Sequence, residues 1–245
     1  MIHYVEETGS TNADLASRLK AGAFVPEGEW LVADRQTAGR GRLGRHWFDG
    51  SGNFMGSCLV RWSEGQPPPA TLALVVGLAV YEAVAPLLSG HALAGQGDLR
   101  LKWPNDLLLD GAKLSGILLE MVAGVVIVGI GVNLRHAPVI GGRETVALSD
   151  IGVAVPRDVF AERLAATLDR ELARWRGAGL APMLRRWQSA AHPEGTALVV
   201  HPPGEGPVQG TFAGLSDDGN LRLETSDGTV RLIHAGDVFL RSNAG

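Results

Sequence analysis

The 245-residue sequence predicts a mixed α/β domain followed by a small all-β module, and three observations carry that prediction. Apolar residues recur in short runs that follow one another through tight turns, as in LRLKW, DLLLD, AKLSGILLEMV and VVIVGIGV. One long segment, PPPATLALVVGLAVYEAVAPLL, is apolar nearly all round and therefore has to be buried against a sheet. From about Gly195 the helical periodicity stops, and short strands alternate with HPPGEGP, SDDGN and SDG.

The elements follow in chain order. IHYVEE alternates as a strand, and TNADLASRLKAG reads as a short helix with Ser10 or Thr11 as N-cap, Leu15 and Leu19 on one face, and Gly22 as its stop. EWLVAD is a second strand. The next segment, RQTAGRGRLGRHWFDGSGN, holds too much glycine, arginine and polar character for a regular element. NFMGSCLVRW restores strand character, and the apolar helix is entered through prolines, which suit a first turn. The strands that follow turn at Asp110-Gly111 and Ala123-Gly124, which places Lys102 and Lys113 on adjacent strands or turns. PRDVFAERLAATLDRELARWRG is an amphipathic helix and APMLRRWQSAA another. The expected division is a main domain over residues 1–193 and a β-barrel-like module over 194–245.

Composition narrows the function classes. At 45% hydrophobic and 20% charged the chain can bury a full core. A net charge of −4 gives no general attraction to nucleic acid or anionic lipid, so neither is an expected partner and any basic cluster is local. Cys58 is the lone cysteine, which excludes an intramolecular disulfide and suits a reducing, cytoplasmic setting. The N-terminus lacks the charged and apolar regions of a secretion signal, and the run ATLALVVGLAV is too short to cross a bilayer.

Several motifs fail on context. GRGRLG at 39–44 satisfies G-x-G-x-x-G after a strand, but RHWFDGSGN opens no helix to hold a pyrophosphate. The Walker pattern and G-x-S-x-G are absent, and the seven histidines show no paired ligand spacing, which argues against zinc chemistry and serine-nucleophile hydrolysis. As a nucleic-acid loop, Arg35, Arg40, Arg42 and Arg45 would make few phosphate contacts and a weak, salt-sensitive hold.

Taken together, the remaining features point to phosphate chemistry. Gly39, Gly41 and Gly44 let backbone N–H groups approach a small anion, and the interleaved arginines add charge-assisted bonds. Among 22 basic residues the only lysines are Lys20, Lys102 and Lys113. An ammonium is a compact, mobile charge where guanidinium is a planar fork, so two lysines in LKWPNDLLLDGAKLSG are candidates for chemistry. Asp106 between them is a hard oxygen ligand suited to a phosphate-bound Mg²⁺. The set implies chemistry on a nucleoside triphosphate.

With STN at 10–12, Gln36 with AGRGRLGRHW at 38–47, KWPND at 102–106, KLSGILLE at 113–120, GIGVN at 129–133 and GDVFLR at 236–241, the chain resembles the biotin protein ligases in ordered motifs along nearly its whole length. The resemblance implies a class II aminoacyl-tRNA-synthetase-like catalytic domain followed by an SH3-like barrel. It also implies a two-step reaction: biotin and ATP give biotinoyl-5′-AMP and pyrophosphate, and the acyl group then passes to a lysine of a biotin carboxyl carrier domain. Mg²⁺ as cofactor and homodimerisation come with the same resemblance.

The physical roles follow from that reaction. Bringing a carboxylate against the α-phosphate costs about 4 kcal/mol per unit-charge pair at contact in a protein-surface dielectric. Lys113 matches the family's catalytic lysine and would stabilise the charge as the bond forms, with Arg42 supporting the same phosphate and Asp106 holding Mg²⁺. Biotin's ureido ring has two donors and a carbonyl, each costing about 1–3 kcal/mol if buried unpaired. Ser10, Thr11, Asn12 and Gln36 supply partners, Gly39, Arg40 and Gly41 lie against biotin in the family pattern, and Gly116 lets backbone approach the ligand. Arg45, Trp47, Asn105 and Asn133 fall to the nucleotide, with Trp47 stacking on adenine. Lys102 either orients the PND turn or meets a phosphate. An acyl-adenylate must be kept from water, so the 38–50 loop is expected to order over bound biotin and nucleotide.

Two rivals stay open: transfer of lipoate or octanoate, although that related family's RRxSGGG-type segment is missing, and a biotin or nucleotide sensor that releases no pyrophosphate. The STN motif at residue 10 leaves no room for the N-terminal helix-turn-helix of bifunctional relatives, so DNA binding is not expected.

Overall fold

The computed structural model describes residues 1–48, 50–89 and 97–241. Among these, seven strands form one mixed sheet and five form a second, smaller one. The large sheet runs β1-β2-β3-β7-β6-β5-β4, from β1 (Ile2–Thr8), β2 (Trp30–Gln36), β3 (Phe54–Arg61), β4 (Leu99–Lys102), β5 (Asp106–Leu109), β6 (Ala112–Val122) and β7 (Val125–Val132). Only β1 and β2 pair in parallel, because helix α1 (Thr11–Lys20) intervenes; every other pair is antiparallel.

Strand alternation decides what the two faces do. On β7, Val126, Val128 and Ile130 enter the main core, where α2 (Leu72–Leu88) and α3 (Arg157–Ala178) pack with Phe54, Phe160 and Trp175. The intervening Val125 and Ile127 join Leu15, Leu31 and Leu59 beneath α1 in a second cluster. Further along that second face, at Gly129 and Gly131, the apolar side chains stop. The register places Gly116 opposite Gly131 and Leu118 opposite Gly129, so the sheet is bare at its centre. The functional cavity lies on this bare patch.

The expected entry of the apolar helix needs correction. The prolines lead into a short 3-10 turn, Pro69–Thr71, and the α-helix begins only at Leu72, with Pro86 in its last turn. The combined helical span Pro69–Leu88 is 20 residues and is long and apolar enough to cross a membrane by length and composition, which the shorter run ATLALVVGLAV is not. Here it packs against α3, α4 (Leu180–Ala190) and the sheet.

Lys102 and Lys113 are not on neighbouring strands. Lys102 ends β4 and Lys113 lies on β6, with Asp106 on β5 between them. A register irregularity at Leu107/Leu108 pairs Leu108 with Lys113.

The second sheet, order β11-β10-β9-β8-β12, is antiparallel and comprises β8 (Ala197–His201), β9 (Val208–Leu215), β10 (Leu221–Glu224), β11 (Val230–Ile233) and β12 (Asp237–Leu240). Its apolar face, Leu198, Phe212, Leu221 and Val238, is continuous with Trp103 and Trp187 of the main core. Trp103 Nε1 donates to the Gly219 carbonyl at 3.1 Å, and the Leu215 amide donates to Gln188 Oε1 at 2.9 Å.

Candidate active site

A cavity of about 680 Å³ opens over the bare centre of the sheet. Its inner end is neutral and polar. Ser10 caps α1 by position, with no side-chain cap bond, so its hydroxyl is not spent on the helix. Thr11 is tied to Gln36, whose Oε1 accepts from the Thr11 amide at 2.8 Å and from its hydroxyl at 3.1 Å. Ser10, Thr11, Asn12 and Gln36 are all buried polar residues that line the cavity.

The outer part is cationic. Arg40, Arg42, Arg45, Lys102, Lys113 and Arg143 line it, against two carboxylates, Asp106 and Asp237. In a chain of net charge −4 this is a concentrated local excess, and it favours a polyanion at this place alone.

Asp106 is the centre of that cluster. Lys113 Nζ donates to its Oδ1 at 2.6 Å, and Lys102 Nζ lies 3.0 Å from its Oδ2. Burial alone would raise the carboxyl's pKa, but the two ammonium groups overcome it and hold Asp106 well below the usual carboxylate range. For Lys113 burial is the larger effect, and it lowers the pKa despite Asp106. Arg42 is lowered by burial as well. A lysine in this state is only lightly hydrated, with Asp106 as the carboxylate that keeps it charged.

The Gly-Arg loop carries no helix beyond a 3-10 turn, Arg42–Gly44, which agrees with setting aside the dinucleotide motif. It is held by charge and by backbone. Arg42 Nη1 donates to Asn105 Oδ1 at 2.9 Å and its Nη2 to the Gly236 carbonyl at 3.2 Å; Arg45 reaches Asp237 at 2.5 Å. Arg40 and His46 pair across the loop, and the Trp47 amide donates to the Gly39 carbonyl at 2.9 Å. The Trp47 indole lies on Gly131 and Gly116, where any Cβ at Gly131 would overlap it, and its Nε1 is buried with no hydrogen-bond partner among the described residues. The Lys113 ammonium stands 5.6 Å from the centre of that ring.

Of the residues singled out from the sequence, Ser10, Thr11, Asn12, Gln36, Arg40, Gly41, Arg42, Arg45, Trp47, Asn105, Asp106, Lys113, Gly116 and Asn133 all border this one cavity. Gly39 does not. It is buried behind Trp47 and against Gln36. Asn133 spends its amide N–H groups on the carbonyls of Lys113 at 3.3 Å and Val146 at 3.1 Å, bracing the strand that carries the lysine. Lys102, besides meeting Asp106, donates to the Val238 carbonyl at 3.0 Å and so joins the PND turn to the small sheet.

Sequence reasoning missed three contributors. Ser57 lines the cavity and has no exposed surface. A lone hydroxyl in the apolar strand NFMGSCLV was the available signal. Residues 138–143, PVIGGR, form one rim, with Val139 and Ile140 exposed. Asp237 to Phe239 form another wall, in the GDVFLR segment, which carries the family resemblance but no role that the sequence alone assigns.

A mixed sheet of this topology, with a cation-lined hollow closed at one end by neutral hydrogen-bonding groups, agrees with the class II synthetase-like ligases that comparison with known proteins identifies. Residues 8–136 match the Biotin/lipoate A/B protein ligase family and residues 202–241 the Biotin protein ligase C terminal domain. The biotin–[acetyl-CoA-carboxylase] ligase of Mycobacterium tuberculosis is 38% identical over 96% of this chain and 86% of its own length. That of Paracoccus denitrificans is 36% identical over 95% and 97%. The biotin protein ligase of Aquifex aeolicus, solved in complex with biotin and ATP, superposes with a TM-score of 0.83 at 29% identity over 98% of each chain. The chain belongs to the biotin/lipoate A/B protein ligase family.

Proposed function

We propose that this protein is a biotin–[biotin carboxyl carrier protein] ligase that activates biotin with ATP and transfers it to a carrier lysine. The observation that carries the reading is the meeting of Lys113 and Arg42, from segments far apart in sequence, in one cavity whose inner end is a neutral polar set. The relatives named for this activity, and the Aquifex aeolicus enzyme with biotin and ATP, support it.

The ureido ring enters the inner end, where Ser10, Thr11 and Gln36 meet its N–H and carbonyl groups and Asn12 stands beside them. The apolar body takes the floor at Gly116 once the Trp47 indole has swung off it toward the nucleotide, and the carboxylate emerges beside Lys113. Lys113 moves from Asp106 to bridge the carboxylate and the α-phosphate, while Arg42 neutralises the same phosphate. The carboxylate oxygen bonds to the α-phosphorus, pyrophosphate leaves, and the charge that gathers on the phosphoryl oxygens is met by cations already in place. The carrier amine then attacks the acyl carbon, loses a proton and displaces AMP. Arg45, Asn105, Asn133 and the Trp47 ring hold the nucleotide, and Arg40 with Gly41 forms the cover over biotin, while Gly39 backs it from behind Trp47.

Among the described residues no group of three or more His, Cys, Asp or Glu is placed to cage a metal ion. The donor set instead fits Mg²⁺ brought in on the triphosphate, with Asp106 as its protein ligand once Lys113 has turned to substrate. When bound, the ion would supply charge neutralisation on the phosphates. A domain division at residues 193 and 194, a cytoplasmic location and pairing of two copies belong to the same reading. Their respective supports are the start of the second sheet at Ala197, the single buried thiol of Cys58, and the sheet edge at β1.

Biotin-dependent release of pyrophosphate from ATP, measured beside lipoate, followed by biotin transfer to a purified carrier domain, tests the proposal. Release driven by lipoate but not biotin, or ligand binding with no release, would refute it.

A further inference from the structure

The polar end of the cavity rests on a chain of hydrogen bonds whose direction can be deduced atom by atom. Asn12 Nδ2 donates to Glu120 Oε2 at 2.7 Å. A carboxylate accepts and has no proton to give, so the amide nitrogen must face Glu120 and the amide oxygen must face the other way. That oxygen, Oδ1, receives the Ser57 hydroxyl at 2.6 Å. Ser57 has one proton and has now spent it. Its contact with Thr11 Oγ1, also 2.6 Å, is therefore made with Thr11 as donor. Thr11 in turn has one proton, drawn to Ser57 in preference to the longer 3.1 Å approach to Gln36. Its lone pairs are left to the cavity that it lines.

Three further observations show that this chain is built in. Ser57 has no exposed surface, and Thr11 and Asn12 are 3% and 4% exposed, so the protein supplies the nearest partners for these protons. Asn12 reaches across the sheet only because residue 129 is glycine; a Cβ there would overlap its amide. The far end is tied to the Gly-Arg loop, since Arg40 Nη2 lies 3.7 Å from Glu120 Oε1.

We propose that Glu120, Asn12 and Ser57 form a one-way hydrogen-bond relay that sets the Thr11 hydroxyl as an acceptor, so that the pocket selects a ligand presenting an N–H donor at that point. Glu120 and Ser57 are positioning residues, acting on ligand only through Thr11. Asn12 belongs with them, because its oxygen and one N–H are spent within the relay. This inference rests on the biotin reading above, in which a ureido N–H meets Thr11. It explains discrimination within that site: a ring oxygen in place of this N–H would set lone pair against lone pair.

The test uses the full chain, saturating ATP and pyrophosphate release, with biotin and the two cyclic carbamate analogues in which one or other ureido N–H is replaced by oxygen. Ser57→Ala is expected to raise the biotin KM about tenfold with kcat and the ATP KM within about twofold, and to leave the KM of one carbamate unchanged. Glu120→Lys places a donor-only group at the head of the relay and turns every bond around. Thr11 then takes the Ser57 proton on one lone pair and turns its own proton to Gln36 Oε1, 3.1 Å away, so one acceptor position fewer faces the cavity, and the preference for biotin over that carbamate is expected to fall about tenfold. Glu120 is half-buried at the end of its strand, so this variant keeps the test alive if Ser57→Ala does not fold. An unchanged biotin KM in Ser57→Ala, or equal losses for biotin and both carbamates in both variants, would overturn the relay while leaving the ligase reading intact. A parent enzyme that releases no pyrophosphate with biotin would remove that reading and the relay together.

Discussion

Replacing Asp106 by Asn removes the one charge that two buried ammonium groups share. The carboxylate sits 2.6 Å from Lys113 Nζ and 3.0 Å from Lys102 Nζ and is 7% exposed. Taking one partner from a buried ion pair costs about 3–5 kcal/mol, because the remaining charge stays desolvated. Asparagine keeps the volume and offers one oxygen to one lysine, so the lower end, about 3 kcal/mol, is expected. At about 2–4 °C per kcal/mol for a chain of this size, Tm should fall by about 6–12 °C. A second readout is independent of stability. Lys113 must be protonated to neutralise substrate charge, and burial already lowers its pKa against the pull of Asp106. The activity should therefore fail on the alkaline side below the ordinary lysine value of about 10.5, and Asp106→Asn should move that limb further down. Thermal unfolding without ligands at pH 7 and the pH profile of pyrophosphate release measure the two effects. A variant that melts within about 2 °C of the parent and keeps its alkaline limb would refute the account of Asp106 as the shared counter-ion.

Three other outcomes are expected. Lys113→Ala should slow adenylate formation about 10²–10³-fold, and Arg42→Ala should both lower formation and loosen retention of the intermediate, as rapid quench and filter binding would show. Gly131→Ala sets a methyl group into the floor that the Trp47 indole covers and that biotin's body takes over, and should raise the KM for biotin more than that for ATP; an unchanged biotin KM would count against this floor as the biotin site. His192, whose Nε2 is buried without a partner among the described residues, has its pKa pushed down to about 4, mainly by burial and then by Lys102. The unfolded chain binds a proton there near pH 6.5 and the folded one does not until about 4. Stability should therefore decline as pH falls through that window, by about 1–2 kcal/mol once the ring's partial exposure is allowed for. His192→Phe should flatten that part of a denaturation series.

How much of this was legible in the sequence depended on whether a contact is local. Strand and hairpin boundaries around Asp110-Gly111 and Ala123-Gly124 were readable because turn chemistry and alternation act within a few residues. The failure of GRGRLG as a dinucleotide loop was readable for the same reason. The order of β4, β5 and β6 does not follow from the local pattern around the lysines, so the sequence offers Asp106 to a metal with no sight of the two ammonium groups that flank it. Gly129 and Gly131 stand out as part of a motif, but their effect, an emptied sheet face, depends on which side of the strand packs against α2. Ser57 and Glu120 stayed hidden because each acts through a partner more than 40 residues away in sequence.

The wall supplied by the last strand has a consequence for truncation. Arg45 is anchored on Asp237, Arg42 on the Gly236 carbonyl and Lys102 on the Val238 carbonyl, all at the start of β12. A truncation just ahead of Gly236 would leave the seven-stranded sheet intact while deleting anchors of three cations that line the cavity. Truncations that remove Gly236 to Val238 should therefore behave as loss-of-function variants, and a truncation series scored for carrier biotinylation should show its cliff at β12, well after the last strand of the large sheet.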